Sequence, residues 1–235
     1  MHFFNILIEP FFSRLSYIRI DPTEILCISA EAAVITLLQA RYPKAKITWI
    51  TPIDTIPKTN YYDFIIAFFP FQTPEDTRTK IKVFHELLKI KGLLLFVTLG
   101  PDSYKECAHD NQFIDMHYLG DWMKQLHFLD PVVDREEVEL VYKDFSVLKK
   151  EAELLSVSKI VIPQESGESS GTASLDPLVK PEDDKAVILR ENGESSYSNT
   201  SKNISITLEL IFGHAWKQII NDEICISIDE IQHRK

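Results

Sequence analysis

The sequence predicts an α/β fold built on a mostly parallel sheet. Short runs rich in β-branched and aromatic residues alternate with stretches whose apolar residues recur at helical spacing, which is typical of a parallel α/β domain. Residues 63–69 are apolar almost throughout, as expected for a strand that is covered on both faces. These two observations favour a single sheet with helices packed against it.

The first half of the chain supplies three predicted strands and one helix. The helix is predicted at 30–42 and ends before Pro43. Its apolar positions are Val34, Leu37, Leu38 and Tyr42. The predicted strands are 24–28, 46–50 and 63–69.

The second half continues the same alternation. Pro74 fits the first turn of a helix, where its missing N–H costs nothing, and Gly92 is expected to stop the chain before the next strand. The apolar face of this helix consists of Ile81, Phe84, Leu87 and Leu88. The remaining predicted elements are a strand at 93–99, a helix at 117–126, and strands at 138–142 and 205–212.

Length and composition predict one domain. A chain of 235 residues that is 45% hydrophobic can bury one core of ordinary size, so we expect a single domain over 1–217 and a C-terminal extension at 218–235. Residues 164–203 are rich in Ser, Gly, Glu and Asp. Their apolar content is too low to offset an ordering cost of roughly 1–2 kcal/mol per residue, so we expect a disordered insert there.

Charge and cysteine usage exclude several classes of protein. The net charge of −10 argues against nucleic-acid binding, which needs clustered Lys and Arg. Cys27, Cys107 and Cys225 form no CxxC pair, so neither a disulfide framework nor a zinc cluster is expected. There is no basic segment before the first apolar residues, and the apolar runs fall short of the ~20 residues that cross a bilayer. We therefore expect a cytoplasmic protein that neither spans a membrane nor is secreted.

Three motifs carry a resemblance to a known family. They are Gly-Pro-Asp-Ser-Tyr-Lys-Glu at 100–106, Phe-Ile-Asp-Met-His at 113–117 and Gly-His-Ala-Trp-Lys at 213–217. Over about 15–217 the chain resembles the malonyl-acyl-carrier-protein O-methyltransferases of biotin synthesis. The resemblance implies a Rossmann-like class I methyltransferase sheet with an antiparallel final strand, S-adenosylmethionine as cofactor, and a substrate carried on acyl carrier protein.

The cofactor loop is where this chain departs from the family. The family ends its first strand with an Asp-x-Gly-x-Gly-x-Gly pattern, whose glycines let the backbone approach the cofactor. The aligned positions here are Cys27, Ser29, Glu31 and Ala33, and Thr51 stands where the family has an acidic ligand for the ribose. Glu31 places a carboxylate where that of the cofactor would lie, and its Cβ opposes a turn that favours positive φ. We therefore expect S-adenosylmethionine not to bind.

Two segments are shorter than in the family. Only about ten residues separate Pro52 from Tyr62, too few for the helix and third strand that the family has there. The stretch before the strand at 24–28 is expected to be too short for the family's N-terminal helical cap. The predicted sheet therefore lacks both the third-strand region and this cap.

The resemblance implies an acyl-substrate pocket around Asp102, Asp115 and His117. Asp102 follows the strand at 93–99 at its carboxyl end, where α/β sheets bind ligands, and a carboxylate such as Asp115 could fix the tautomer of His117. The alternative is structural. Asp102 would then belong to a turn, and Asp115 would cap the helix that follows it.

Three functional hypotheses remain open. The first is a degenerate homologue, a pseudoenzyme that binds acyl carrier protein or another protein subunit. Because carrier proteins are generally acidic, its landing site would be the basic cluster of Arg78, Lys80, Lys82, Lys89 and Lys91, which is otherwise a solvated helix face. The second is an active S-adenosylmethionine-dependent methyltransferase that forms malonyl-acyl-carrier-protein methyl ester. The third is a decayed gene product without a selected activity.

Overall fold

The computed structural model describes residues 2–29, 31–50, 59–71, 73–155, 157, 160–162 and 203–218. Within these ranges the helices are α1 (His2–Ser16), α2 (Ala32–Arg41), α3 (Pro74–Leu87), α4 (Met116–Gln125) and α5 (Phe145–Leu154). The strands are β1 (Glu24–Ile28), β2 (Lys46–Ile50), β3 (Tyr62–Phe68), β4 (Leu88–Leu99), β5 (Phe128–Tyr142) and β6 (Ile204–Lys217). The predicted insert and C-terminal extension lie almost entirely outside the described residues, so the domain boundaries stay predictions.

The strands form one mixed sheet in the order β2-β1-β3-β4-β6-β5. Strands β1 to β4 run parallel to one another, whereas β6 is antiparallel to both β4 and β5. This confirms the predicted class I methyltransferase-like α/β fold with an antiparallel final strand. On the β2 side the sheet ends at β2 in the part of the chain that the structure describes.

Helices cover both faces of the sheet, and β3 shows why its sequence is apolar throughout. Phe64, Ile66 and Phe68 belong to one core cluster, with buried residues of α1, α2 and α5. Ile65 and Ala67 belong to the other, with buried residues of α3 and α4. Each successive side chain of β3 therefore enters a different buried layer.

The expectation of no N-terminal helical cap is wrong, because residues His2–Ser16 form α1. Its buried residues recur at helical spacing: Phe4, Leu7, Phe11 and Leu15. Arg14 fixes this helix to the far side of the sheet. Its Nη2 lies 3.0 Å from a carboxylate oxygen of Asp134 and 3.3 Å from one of Glu136, and its guanidinium lies 3.7 Å from the centre of the Phe212 ring.

The predicted stop at Gly92 is also wrong. Helix α3 ends at Leu87 and β4 begins at once with Leu88, so Gly92 lies inside the strand. A Cβ on Gly92 would lie 2.8 Å from the Lys89 carbonyl oxygen, so this position needs glycine for close packing rather than for a helix end. The positive φ of this region, 64°, belongs to Lys91.

Two elements differ in extent from their predictions. Strand β5 has 15 residues and includes Pro131, whereas only its last part, 138–142, was expected. Helix α5 was not predicted at all, although Asp144 caps it by accepting the Ser146 N–H at 2.8 Å. The other predicted helices and strands agree with the structure to within a few residues at each end.

Gly213 on β6 is predicted to be essential for sheet packing, because a Cβ there would overlap the buried ring of Phe96 on β4. Gly213→Ala should lower the free energy of unfolding by about 2 kcal/mol through overpacking. Gly120→Ala is the matched control. A Cβ at helical Gly120 meets nothing nearer than Val133 at 3.9 Å, so this change should stabilise by about 0.5–1 kcal/mol. Urea unfolding measures the free energy of unfolding of both variants, and an equal change in the two would contradict the packing role of Gly213.

Asp63 ties β1 to β3 and to the start of β4. Its carboxylate accepts the N–H groups of Thr23 and Glu24 at 3.0 and 2.9 Å and pairs with the Lys89 ammonium at 2.8 Å. Burial alone would raise the pKa of Asp63, but these hydrogen bonds lower it to about 2. Since the folded pKa is depressed, the stabilisation is present above about pH 4 and is lost as the pH falls towards 2.

Asp63→Asn should therefore destabilise the protein by about 1 kcal/mol at pH 7, after allowance for solvent screening of a partly exposed pair. The difference from the unmodified protein should shrink between pH 4 and pH 2. Urea midpoints across this range measure it, with exposed Asp21→Asn as the control. A difference that stays constant with pH would show that the Asp63 charge is not responsible.

Candidate functional site

The carboxyl ends of β1 to β4 meet at one edge of the sheet. The chain order reverses between β1 and β3, because β2 lies on one side of β1 and β3 on the other. In open α/β sheets this reversal opens a crevice where ligands bind. Of the predicted cofactor positions, Ser29 and Glu31 follow β1 at this edge, and the predicted substrate residue Asp102 follows β4.

Ser29 is bonded on three sides in the described part of the turn between β1 and α2. It is 2% exposed, and its N–H donates to the Ile50 carbonyl at 3.2 Å. Its hydroxyl oxygen accepts the Glu31 N–H at 3.1 Å, and its carbonyl accepts the Trp49 indole N–H at 2.8 Å. Ser29 thus joins the start of α2 to the neighbouring strand β2.

The predicted cofactor residues do not converge on one surface. Cys27 is fully buried in β1, and burial raises the pKa of its thiol to about 12, so the thiol stays protonated. Ala33 is exposed, and Thr51 lies outside the described residues. Ser29 and Glu31 are joined by the one hydrogen bond described above.

Glu31 begins α2 with an ordinary extended backbone. Its φ is −108° and its ψ is 118°, and its side chain makes no capping hydrogen bond. The predicted opposition between its Cβ and a positive-φ turn does not arise here, because neither Ser29 nor Glu31 adopts positive φ. Neither of these two positions therefore requires glycine for its backbone conformation.

Aromatic rings crowd the carboxyl end of β3, a feature that the sequence analysis missed. The Phe68 ring centre lies 4.4 Å from that of Phe11 and 6.0 Å from that of Phe4, both on α1. Phe69 adopts a positive φ of 49°, and its N–H donates to the Val97 carbonyl at 2.7 Å. The helical spacing of Phe4, Leu7, Phe11 and Leu15 was the signal that could have revealed this contact.

The loop after β4 is held by one buried carboxylate on β6. Glu209 is 3% exposed, and its side chain accepts the Asp102 N–H at 2.9 Å. Its backbone carbonyl accepts the Gly100 N–H at 2.8 Å and the Ser103 hydroxyl at 3.1 Å. A Cβ on Gly100 would overlap the Glu209 carboxylate. The glycine of the motif at 100–106 is therefore explained by contact with β6.

The Asp102 side chain projects from this loop and is exposed. Its carboxylate lies 3.7 Å from Nη1 of Arg135, which also lies 3.1 Å from the Glu209 carboxylate. Arg135 of β5 thus contacts one of the three predicted substrate residues, Asp102, together with the buried Glu209.

Asp115 is the N-cap of α4, as the structural alternative predicted. Its carboxylate accepts the His117 N–H at 2.8 Å and lies 2.6 Å from Nδ1 of the same residue. The backbone hydrogen bond is the main cause that lowers the pKa of Asp115. The His117 side chain is 81% exposed. The pair faces solvent, and its role in substrate binding stays a prediction.

Among the described residues, no group of three or more His, Cys, Asp or Glu side chains is arranged to hold a metal ion. None of the helices in this part of the chain combines the length and apolar character needed to cross a membrane.

The sheet order, the antiparallel β6 and the ligand edge define a class I methyltransferase-like α/β protein. A solved structure of a candidate methyltransferase from Bacillus halodurans has the same fold, with a TM-score of 0.51 at 10% identity, over 88% of this chain and 97% of that one. No protein-family model matches the chain.

Curated relatives give the more particular similarity, and they are named malonyl-acyl-carrier-protein O-methyltransferases. One such protein, numbered 1 in Coxiella burnetii, is 28% identical over 94% of this chain and 86% of its own length. Another, from Legionella pneumophila, is 24% identical over 88% of this chain and 81% of its own length. The resemblance stated from the sequence is thus confirmed over most of the chain.

Glu209 is predicted to hold the Asp102 loop in place. Glu209→Ala should lower the free energy of unfolding by about 1–3 kcal/mol, because it leaves the Asp102 N–H without its acceptor and removes the partner of Arg135. Asp102→Ala should change stability by less than about 0.5 kcal/mol, because this side chain is exposed. Urea unfolding and hydrogen exchange at the Asp102 amide test the pair. Unchanged exchange in Glu209→Ala would contradict this role.

Proposed function

We propose that this protein is a methyltransferase homologue that no longer binds S-adenosylmethionine and acts by binding acyl carrier protein or another protein subunit. The observation that supports the proposal best is the glycine-free turn between β1 and α2. This turn stands where a class I methyltransferase would hold the amino-acid end of its cofactor.

The backbone just before α2 is engaged by the protein itself. The N-terminus of a helix binds anions because its first N–H groups point outwards without partners. At the N-cap, the Glu31 N–H donates to the Ser29 hydroxyl, and the Ser29 N–H donates to the Ile50 carbonyl. These two N–H groups are therefore not open to a cofactor carboxylate, which could reach only the N–H groups that follow Glu31 within α2, where no side chain caps them.

Glu31 adds a negative charge at the start of α2, where an anionic ligand group would otherwise be stabilised. A cofactor carboxylate bound at this helix end would be repelled by Glu31, and each 1.4 kcal/mol of repulsion weakens binding about tenfold. The residues of this turn therefore do not fit S-adenosylmethionine.

The partner follows from the relatives. They are named for their action on malonyl-acyl-carrier protein, and the similarity to the Coxiella burnetii relative extends over 94% of this chain. A protein that keeps the loop and helix after β4 but no longer binds the methyl donor still has a surface for binding acyl carrier protein. Cytoplasmic location is part of the proposal.

The active enzyme, which would form malonyl-acyl-carrier-protein methyl ester, is the second candidate. It is favoured by the similarity itself, since the Coxiella burnetii relative covers 94% of the chain with a methyltransferase name. Activity would require the turn from Ser29 to Glu31 to rearrange around the cofactor. Cofactor affinity therefore separates the two candidates.

Isothermal titration with S-adenosylmethionine and S-adenosylhomocysteine provides the test, with a glycine-containing relative as positive control. We expect no heat up to millimolar ligand for this protein and micromolar affinity for the control. The triple variant Ser29→Gly, Glu31→Gly, Ala33→Gly should gain measurable affinity, because it removes the repelling carboxylate and frees the backbone. Micromolar binding by the unmodified protein would overturn the proposal in favour of the active enzyme.

A further inference from the structure

A groove of about 610 Å³ lies between α3 and α4, on the face of the sheet opposite α1. It is lined by Pro74, Glu75, Arg78, Thr79, Lys82, Trp122 and Leu126. We propose that an acidic amphipathic helix of acyl carrier protein docks in this α3–α4 groove. The inference rests on the proposed function and assigns its binding surface.

Two cations of the groove are available for an acidic partner. Arg78 donates to the Gln125 side-chain carbonyl at 3.3 Å and has no carboxylate partner among the described residues. The Lys82 side chain is 67% exposed, and its nearest carboxylate, that of Glu86, lies 3.9 Å away. Arg78 and Lys82 are four residues apart on α3, so both reach the same side of the helix.

Two other members of the basic cluster are already engaged. Lys80 pairs with Asp76 and donates to the Pro70 carbonyl at 2.7 Å. Lys89 pairs with Asp63 at 2.8 Å as part of the clamp between β1, β3 and β4. Lys91 does not line the groove, so Arg78 and Lys82 are the two cations of the predicted landing site that do.

The opposite wall of the groove is apolar. Trp122 and Leu126 lie one turn apart on α4 and line it together. The Trp122 ring stacks on Tyr118, whose side chain is 60% exposed, with ring centres 6.0 Å apart. Tryptophan, tyrosine and arginine are the residues that most often carry binding energy at protein interfaces.

Charge complementarity selects the occupant. The whole chain carries a net charge of −10, so a docking site for an acidic partner must be locally basic. A helix with one acidic and one apolar face matches Arg78 and Lys82 on one wall and Trp122 and Leu126 on the other. Helix α3 begins at Pro74, a few residues after the carboxyl end of β3, so the groove opens next to the ligand edge.

The test measures binding of purified malonyl-loaded acyl carrier protein by fluorescence anisotropy. The double variant Arg78→Glu, Lys82→Glu should weaken binding about tenfold or more. Lys149→Glu, Lys150→Glu changes the net charge equally on exposed positions of α5, on the other face of the sheet, and should change affinity less than about threefold. Glu75→Gln, which removes the one carboxylate of the lining, should strengthen binding.

The outcomes separate this inference from the proposed function. If the unmodified protein binds the carrier and Arg78→Glu, Lys82→Glu binds it equally well, the groove is not the docking site, while the proposed function stands. Equal losses in both double variants would show that only net charge matters and would also overturn the groove. If the unmodified protein does not bind the carrier, its assignment as partner fails as well. Trp122→Ala gives an uncharged check and should weaken binding; because this ring also packs against the core, its thermal unfolding is measured beside it to show that the variant is folded at the temperature of the binding assay.

Discussion

The insertion of β6 between β4 and β5 is the constraint on which the rest of the structure depends. Strand β5 is at the edge of the sheet and pairs with β6 alone among the described strands. Arg14 anchors α1 to the sheet through an ion pair with β5 and through contact with Phe212 of β6. Glu209 of β6 positions the loop that carries Asp102. The close contact of Gly213 with Phe96 shows how tightly β6 fits against β4. The N-terminal helix and the substrate-side loop thus depend on one late strand.

The two halves of the ligand edge are built by different means. On the β4 side, Glu209 of β6 holds the loop at 100–106 through its buried carboxylate, which accepts the Asp102 N–H, and through its backbone carbonyl, which accepts the Ser103 hydroxyl. On the β1 side, Ser29 bonds Glu31 and Trp49. The first arrangement leaves Asp102 and Arg135 at the surface, and the second occupies the Glu31 N–H within the protein. This asymmetry supports a protein that keeps a partner surface without a methyl donor.

Much of the fold could be predicted from the sequence, because its elements carry local signals. The apolar run of β3, the Pro74 start of α3 and the Asp115 cap of α4 are each encoded within a few residues. The short length of the chain before β1 argued against a helix there, but the helical spacing of the buried residues of α1 is the signal that predicts it. The stop at Gly92 was misread because close packing and a helix end both favour glycine.

The candidate site could be predicted only in part. Sequence order places Ser29, Glu31 and Asp102 at the carboxyl ends of strands, but it does not show which groups bond each other. Glu209 lies 107 residues from Asp102, and no local pattern joins them. In the same way, the division of the basic cluster into engaged and available cations depends on contacts with Asp63, Asp76 and Pro70 that only the folded chain brings together.

The position of β6 also has a consequence for how the chain folds. Roughly 60 residues separate Tyr142 from Ile204, so β5 must wait for a distant segment before it can join the sheet, and closing so long a loop is entropically costly. Contacts of this range slow folding. During synthesis, β4 would emerge with an open edge that stays unpaired until residues 204–217 leave the ribosome, and an exposed edge strand invites aggregation. Chain completion and chaperone supply, more than intrinsic stability, would then limit the yield of folded protein.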